Sequence, residues 1–335
     1  MVRDREEIGR QGGMSVAFRL IVAAVLALGA IAAQAADYPT RPITLVVPYA
    51  AGGGNDVIAR IVAEKMSASL GQSVVIENRG GAGGTIATRQ VAKSEPDGYT
   101  LLIATSSLAI NPSLYPNVGY DPRKDFAPIG LIASGANVVM VNTTVPVKSI
   151  AELIALAKQK PGELNFASTG TGSSVHLAAE LFAGMAGIKI NHVPYKGSGP
   201  ALNDLVGGHV TMMFGTMASS AGLVKDGAKV RALAVTGLKR SALFPELPTV
   251  AESGLPGYES VLHYGIVAAA GTPRPIVDRL NAALNAALAN EDVKQRLAVE
   301  GAEALPTSSD EYAADIAAEE TKWSEIIRKS GMKAE

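Results

Sequence analysis

The sequence predicts an α/β fold in two lobes, each a mainly parallel sheet flanked by helices. Three observations carry that expectation. The chain has 335 residues, more than a single hydrophobic core usually organises. Apolar runs of strand length alternate with segments of helical periodicity, the pattern of parallel sheets. The unit of strand, glycine turn and helix that opens the chain returns after residue 140, although no sequence repeat accompanies it.

Composition narrows the function classes. Hydrophobic residues make up 47% of the chain, enough for full cores, while charged residues at 18% fall below the usual quarter. Aromatics at 5% and 35 glycines predict interiors packed by small side chains. With 30 basic and 31 acidic residues, the chain has no electrostatic footprint for nucleic acid. There is no cysteine, which excludes disulfides, thiolate metal sites, thiol nucleophiles and a lipid-anchoring cysteine.

The N-terminus has the order of a secretory signal. Arg19 precedes an uncharged run over 20–33, and Gln34-Ala35-Ala36 supplies small residues for cleavage. The run is shorter than the roughly 20 residues of a membrane-spanning helix. A signal peptide over 1–36, starting at Met1 or Met14, and a mature periplasmic protein are expected.

Along the mature chain, 43–48 reads as a strand, 50–55 as a glycine-rich turn, and 56–70 as a helix with Val57, Ile58, Ile61, Val62 and Met66 at helical spacing. Residues 74–77, 79–85 and 86–92 repeat the plan, and 99–105 is a third strand. A crossing strand is expected over 138–142, then a helix over 150–159 stopped by Pro161-Gly162. Strand 164–168, the loop Thr169-Gly170-Thr171-Gly172-Ser173 and helix 174–185 follow. Next come strand 188–195, and helix 200–206 with Pro200 in first position. Strands 210–214, 230–236 and 260–268 precede helices 275–289 and 309–329, the last acidic early and basic late, as the helix dipole favours. The expected division is 37–140 with 262–335 as one lobe and 141–261 as the other.

These glycine turns carry the chemistry. Each aims unpaired N–H groups and a helix N-terminus at the carboxyl edge of its sheet, where anions and ligands of open α/β sheets bind. Two such lobes face to face would enclose a small carboxylate. Rival motifs fail. Ile86 occupies the third glycine position of a dinucleotide fingerprint at Gly81-Ala82-Gly83-Gly84, and no phosphate loop, G-x-S-x-G elbow or H-E-x-x-H helix is present. His176, His192, His209 and His263 lie more than four residues apart, so no local metal site is expected, nor any cofactor. Asp56 reads equally as a helix cap, and His176 as a partner of its own loop. Tyr195 and Lys196 end a strand facing either the cleft or solvent, and Trp323 reads as packing.

With these turns aligned, the chain resembles the receptors of tripartite tricarboxylate transporters, the Bug-type solute-binding proteins. The matching stretches include Val47-Pro48-Tyr49-Ala50-Ala51-Gly52-Gly53-Gly54-Asn55-Asp56, Glu77-Asn78-Arg79 with Gly81 to Gly84, and Pro96-Asp97-Gly98-Tyr99. Asn111-Pro112, His176-Leu177-Ala178 and His192-Val193-Pro194-Tyr195-Lys196-Gly197 complete the pattern. The resemblance implies a periplasmic two-lobe clamp, a monomer and not an enzyme, that delivers a small carboxylate to a permease with large and small subunits. It places the carboxylate grip on Pro48, Tyr49, Ala50, Ala51, Gly52 and Gly53 with Asp56, on Gly83, and on Ser168, Thr169, Gly170 and Thr171. Ser106, Ser107, Asn111, Thr216 and His263 are candidates for reading the rest of the ligand, beside His176, Tyr195 and Lys196. Ala51 and Asn55 depart from the family's first loop, which often has a proline or threonine there. Two rivals stay open: a sensor-kinase partner in place of the permease, and a lyase or isomerase using Asp56 and His176 as acid and base.

Overall fold

A computed structural model describes residues 38–115 and 117–330. The segment Arg41–Glu335 forms one compact unit. The signal segment over 1–36 lies outside the described residues.

Strand β1 (Ile43–Val47) leads to α1 (Gly54–Leu70), β2 (Val74–Asn78), a single 3-10 turn (Ala82–Gly84), α2 (Thr85–Ala92) and β3 (Thr100–Thr105). β1 lies between β2 and β3 with both pairs parallel, so each following helix starts at the same sheet edge. The plan recurs in β5 (Asn165–Ser168), α5 (Ser174–Ala186), β6 (Asn191–Pro194), α6 (Ser198–Gly207), β7 (Met212–Thr216) and α7 (Met217–Asp226). Here β5 pairs in parallel with β6 and β7.

The halves are joined through β4 (Phe126–Asn142), a strand of 17 residues. Residues 126–136 pair antiparallel with β9 (Val261–Ala269), which pairs with β3. Residues 137–142 pair antiparallel with β7 and with β8 (Val230–Val235). The change of partner falls between Ala136 and Asn137. Only the second half of β4 was expected from sequence. Pro128, Gly130 and Gly135 mask the first half, and the register shifts at Pro128 to Gly130 absorb the proline at a bulge.

Three more differences have local causes. Helix α3 (Ser107–Leu114) was not expected because Pro112 lies inside it. The Leu108 carbonyl, which Pro112 leaves without its helical donor, accepts from the Tyr120 hydroxyl at 3.3 Å. α6 begins at Ser198, two residues before Pro200, so the proline sits in the first turn but not at its first position. Helix α9 (Glu291–Val299), between α8 (Arg274–Ala289) and β10 (Ala302–Ala304), was not expected; it starts directly after α8, with Asn290 as its cap. The last helix, α10 (Ser309–Ser330), closes the chain.

One core packs Val139, Phe166, Phe182, Phe214 and Tyr258, and another packs Val46, Leu102, Val267 and Tyr312. A smaller cluster joins Ile110 and Leu114 of α3, Leu177 of α5 and Trp323 of α10, so the one tryptophan is a packing residue.

A candidate anion-binding seam between the lobes

Six helices start along one seam. From the first half come α1, α2 and α3, and from the second α5, α6 and α7. Their loops touch directly. The Tyr115 hydroxyl donates to the Thr171 carbonyl at 2.6 Å. A Cβ at Gly83 would collide with that same carbonyl, and Gly83 has a φ of 60°, so only glycine fits. A Cβ at Gly197 would lie 3.1 Å from the Ala50 methyl, and one at Gly54 would lie 2.6 Å from Thr216 Oγ1. At Gly83 and Gly170 the two halves meet backbone against backbone.

Asp56 shapes the first loop. It is buried in the first turn of α1, and its Oδ2 accepts from the Gly52 N–H and from Arg60, both at 2.9 Å. Its Oδ1 accepts from Asn78 Nδ2 at 3.1 Å, and Asn78 also reaches the Tyr49 carbonyl. Burial works to raise the Asp56 pKa, but the hydrogen bonds from Arg60, Gly52 and Asn78 outweigh it and hold the carboxyl below its ordinary value. Gly53 donates weakly to the Ala50 carbonyl at 3.4 Å. Among the described residues, the N–H groups of Ala50 and Ala51 have no acceptor.

The second loop is held by neutral rings. Ser168 Oγ accepts from the Gly170 N–H at 3.0 Å and lies 2.6 Å from His192 Nε2. His176 Nδ1 accepts from the Gly172 N–H at 3.2 Å. The two imidazoles stack with centroids 4.0 Å apart, and Phe166 stacks against both. Burial, and then the neighbouring His192, pushes His176 down to about 3; burial pushes His192 down to about 4. Both are therefore neutral near pH 7, as the acceptor role of His176 Nδ1 requires. Gly170 and Gly172 turn their N–H groups inward, while those of Thr169 and Thr171, each just before one of them, have no acceptor among the described residues.

The remaining predicted residues divide. Tyr49 is buried, with its hydroxyl 3.2 Å from Ser107 Oγ and donating to the Gly83 carbonyl at 3.4 Å. Burial raises its pKa. Asn111 Nδ2 donates to the same Gly83 carbonyl. Pro48 packs beside Gly84, and Thr216 Oγ1 bonds Ser219 Oγ at 2.7 Å. Ser106 Oγ accepts from the His263 N–H, while the His263 ring turns to Asp315. Tyr195 bonds Asp204 on α6, and the Lys196 side chain is exposed. The rings of His263 and Tyr195 are thus engaged by acids on α10 and α6. Tyr115, Asn78 and Asn137 belong to the seam's framework but were not singled out from sequence. Asn78 lies in the quoted Glu77-Asn78-Arg79 stretch, but no role was read for any of the three because their partners lie across the fold.

A cavity of about 1060 Å³ opens elsewhere, behind the β4 joint, lined by Ala136, Met217, Leu243, Val261, Leu288 and Ala302 among others. None of the glycine loops over 50–54, 81–84 or 169–172 reaches it, and its mostly apolar lining carries Lys239, Arg240 and Lys294 beside Glu259 and Glu303. No group of three or more His, Asp or Glu side chains among the described residues could hold a metal. No helix among them is long and apolar enough to cross a membrane.

Residues 58–332 match the family model of the tripartite tricarboxylate transporter family receptor. The chain belongs to that family. Its fold is shared with the periplasmic binding protein BugD, at a TM-score of 0.85 and 39% identity, covering 89% of this chain and all of that one. Rpa4515 of R. palustris, solved with adipate, gives 0.85 and 40% identity over 88% of this chain and 99% of its own. MatC from Rhodopseudomonas palustris, with bound malate, gives 0.83 and 34% over 87% and 100%. The fold is the two-lobe periplasmic binding protein clamp, and the family is one of solute-binding receptors, not enzymes.

Proposed function

We propose that this receptor captures a small carboxylate (a dicarboxylate, tricarboxylate or aromatic acid) between lobes formed by 37–140 with 262–335 and by 141–261. One observation carries the reading. The unengaged N–H groups of Ala50 and Ala51 on one side, and of Thr169 and Thr171 on the other, flank a seam where their neighbours' N–H groups are already spent. A carboxylate placed there receives donors from both lobes, which offsets the several kcal/mol that burying it unpaired would cost. Gly83 and Asp56 shape the seam around it. Capture proceeds by hinge closure at the β4 joint, with the ligand favouring the closed form. Adipate and malate bound by two relatives support the ligand class.

The secretory signal places the mature protein in the periplasm, where as a monomer it delivers its ligand to a permease of large and small subunits. Native mass spectrometry of the mature protein tests capture: one intact carboxylic acid should be released per chain on denaturation. An empty protein that also ignores a thermal-shift panel of mono-, di- and tricarboxylates would refute it. Delivery is tested by uptake of that acid in cells with and without the permease.

A further inference from the structure

The seam holds more acceptors than a carboxylate can use. Asn55, Asn111 and Asn137 are 8%, 1% and 0% exposed. Each has a carboxamide oxygen with no hydrogen-bond partner, and Asn137 also has an unpartnered Nδ2. Buried polar groups are nearly always paired, and an unpaired one carries a desolvation cost that a partner would relieve.

All three belong to elements that meet at the seam. The Asn137 backbone is pinned: its N–H donates to Thr236 Oγ1 at 2.7 Å, and its carbonyl accepts from the Thr236 N–H at 2.9 Å. Asn137 is the register partner of Thr216, and such partners present side chains to one face of the sheet. Thr216 in turn packs against Gly54, the residue before Asn55. Asn111 is oriented by its Nδ2 bond to the Gly83 carbonyl, and its Oδ1 lies where a side chain at Gly172 would point.

A carboxylate is acceptor-only and satisfies none of these oxygens; a hydroxyl, amide or ammonium group does. We infer that the seam selects carboxylates that also carry a hydrogen-bond donor, and that the carboxamides of Asn55, Asn111 and Asn137 read that donor. The inference rests on carboxylate capture as proposed above and specifies its substrate class: hydroxy- or amino-substituted acids over plain ones.

Calorimetric titration of the mature protein with two matched sets tests it. The first set is succinate, malate and aspartate; the second is adipate, 2-hydroxyadipate and 2-aminoadipate. In at least one set the hydroxyl or amino member should bind about tenfold or more tighter than the plain diacid. Which member wins tells hydroxyl from ammonium. Asn137→Leu, close in volume, should lose more affinity for the substituted acids than for the plain diacid and so bring the set within about twofold. Where that variant fails to fold, Asn55→Ala should narrow the same ratio. Plain diacids binding as tightly as their substituted partners would overturn the inference while leaving carboxylate capture intact. So would variants that weaken all three members equally, which is the mark of a structural role. Binding by none of the six also overturns it, and the wider carboxylate panel then decides capture by itself.

Discussion

The loop over 50–53 is held by a charge, whereas the loop over 169–172 that faces it is held by two uncharged rings. Asp56 accepts the Gly52 N–H as a carboxylate whose pKa is lowered. His176 and Ser168, the latter backed by His192, accept the Gly172 and Gly170 N–H groups as neutral acceptors. Both clasps reach the same end, turning some amides inward and leaving others for the seam. The difference lies in what breaks them. Protonation of the unfolded chain weakens the histidine clasp from the ordinary imidazole value of about 6.5 downward, and the carboxylate clasp only from the ordinary aspartate value of about 3.9 downward.

The shared requirement of both loops, close backbone contact, gives the largest expected effect. Gly83→Ala places a methyl against the Thr171 carbonyl at a φ of 60°. Affinity for the bound acid should fall by about a hundredfold or more, about 2.7 kcal/mol, with secondary structure by circular dichroism unchanged. Retained affinity would show that the seam does not close this way.

Removing the charged clasp comes next. Asp56→Asn leaves Gly52 and Asn78 with a weaker acceptor and strands Arg60. Hydrogen bonds to a charged group are worth about 1.5–3 kcal/mol, so Tm should drop by roughly 3–6 °C and affinity by about tenfold. A variant with unchanged Tm would reduce Asp56 to a helix-end charge.

The neutral clasp should show itself in pH dependence. The unfolded chain protonates these histidines near 6.5, and the folded chain only near 4 and 3. Between those values the unfolded state binds more protons, so this contribution to stability is present above pH 6.5 and lost as pH falls. His263 works oppositely, since its hydrogen bond to Asp315 raises its pKa and favours the folded state at lower pH. Denaturant melts of His176→Phe between pH 7.5 and 4.5 should therefore show a slope reduced by one proton relative to the parent. An unaltered slope would contradict the buried neutral ring. The smallest effect belongs to Tyr115→Phe, which removes one hydrogen bond across the seam. Affinity should fall about fivefold by the same titration, near the 1 kcal/mol of an ordinary hydrogen bond.

Much of this was legible beforehand because it is local. Glycine turns between an apolar strand and a periodic helix announce themselves in 43–70 and again in 164–185, and α4 (Ile150–Gln159) emerged with the bounds its spacing predicts. The first half of β4 was not legible, because its pairing with β9 is long-range and tolerates Pro128 and Gly130 at bulges. Helix α3 was hidden by Pro112, whose cost is met by a tyrosine eight residues downstream. At the site, sequence identified the loops but not the direction of each amide. Asp56, Ser168 and His176 set that direction from within four residues, as the reading of His176 as a partner of its own loop anticipated, and His192 joins them through the fold. Tyr115 and Asn137 were invisible because their partners lie across the fold.

The most direct test follows individual amides. In an amide-resolved NMR titration of the 15N-labelled mature protein with the carboxylate it binds, the N–H signals of Ala50, Ala51, Thr169 and Thr171 should shift strongly downfield as hydrogen bonds form. Those of Gly52, Gly170 and Gly172, already committed to Asp56, Ser168 and His176, should move little. Saturable binding that shifts the second set and leaves the first unmoved would contradict the account.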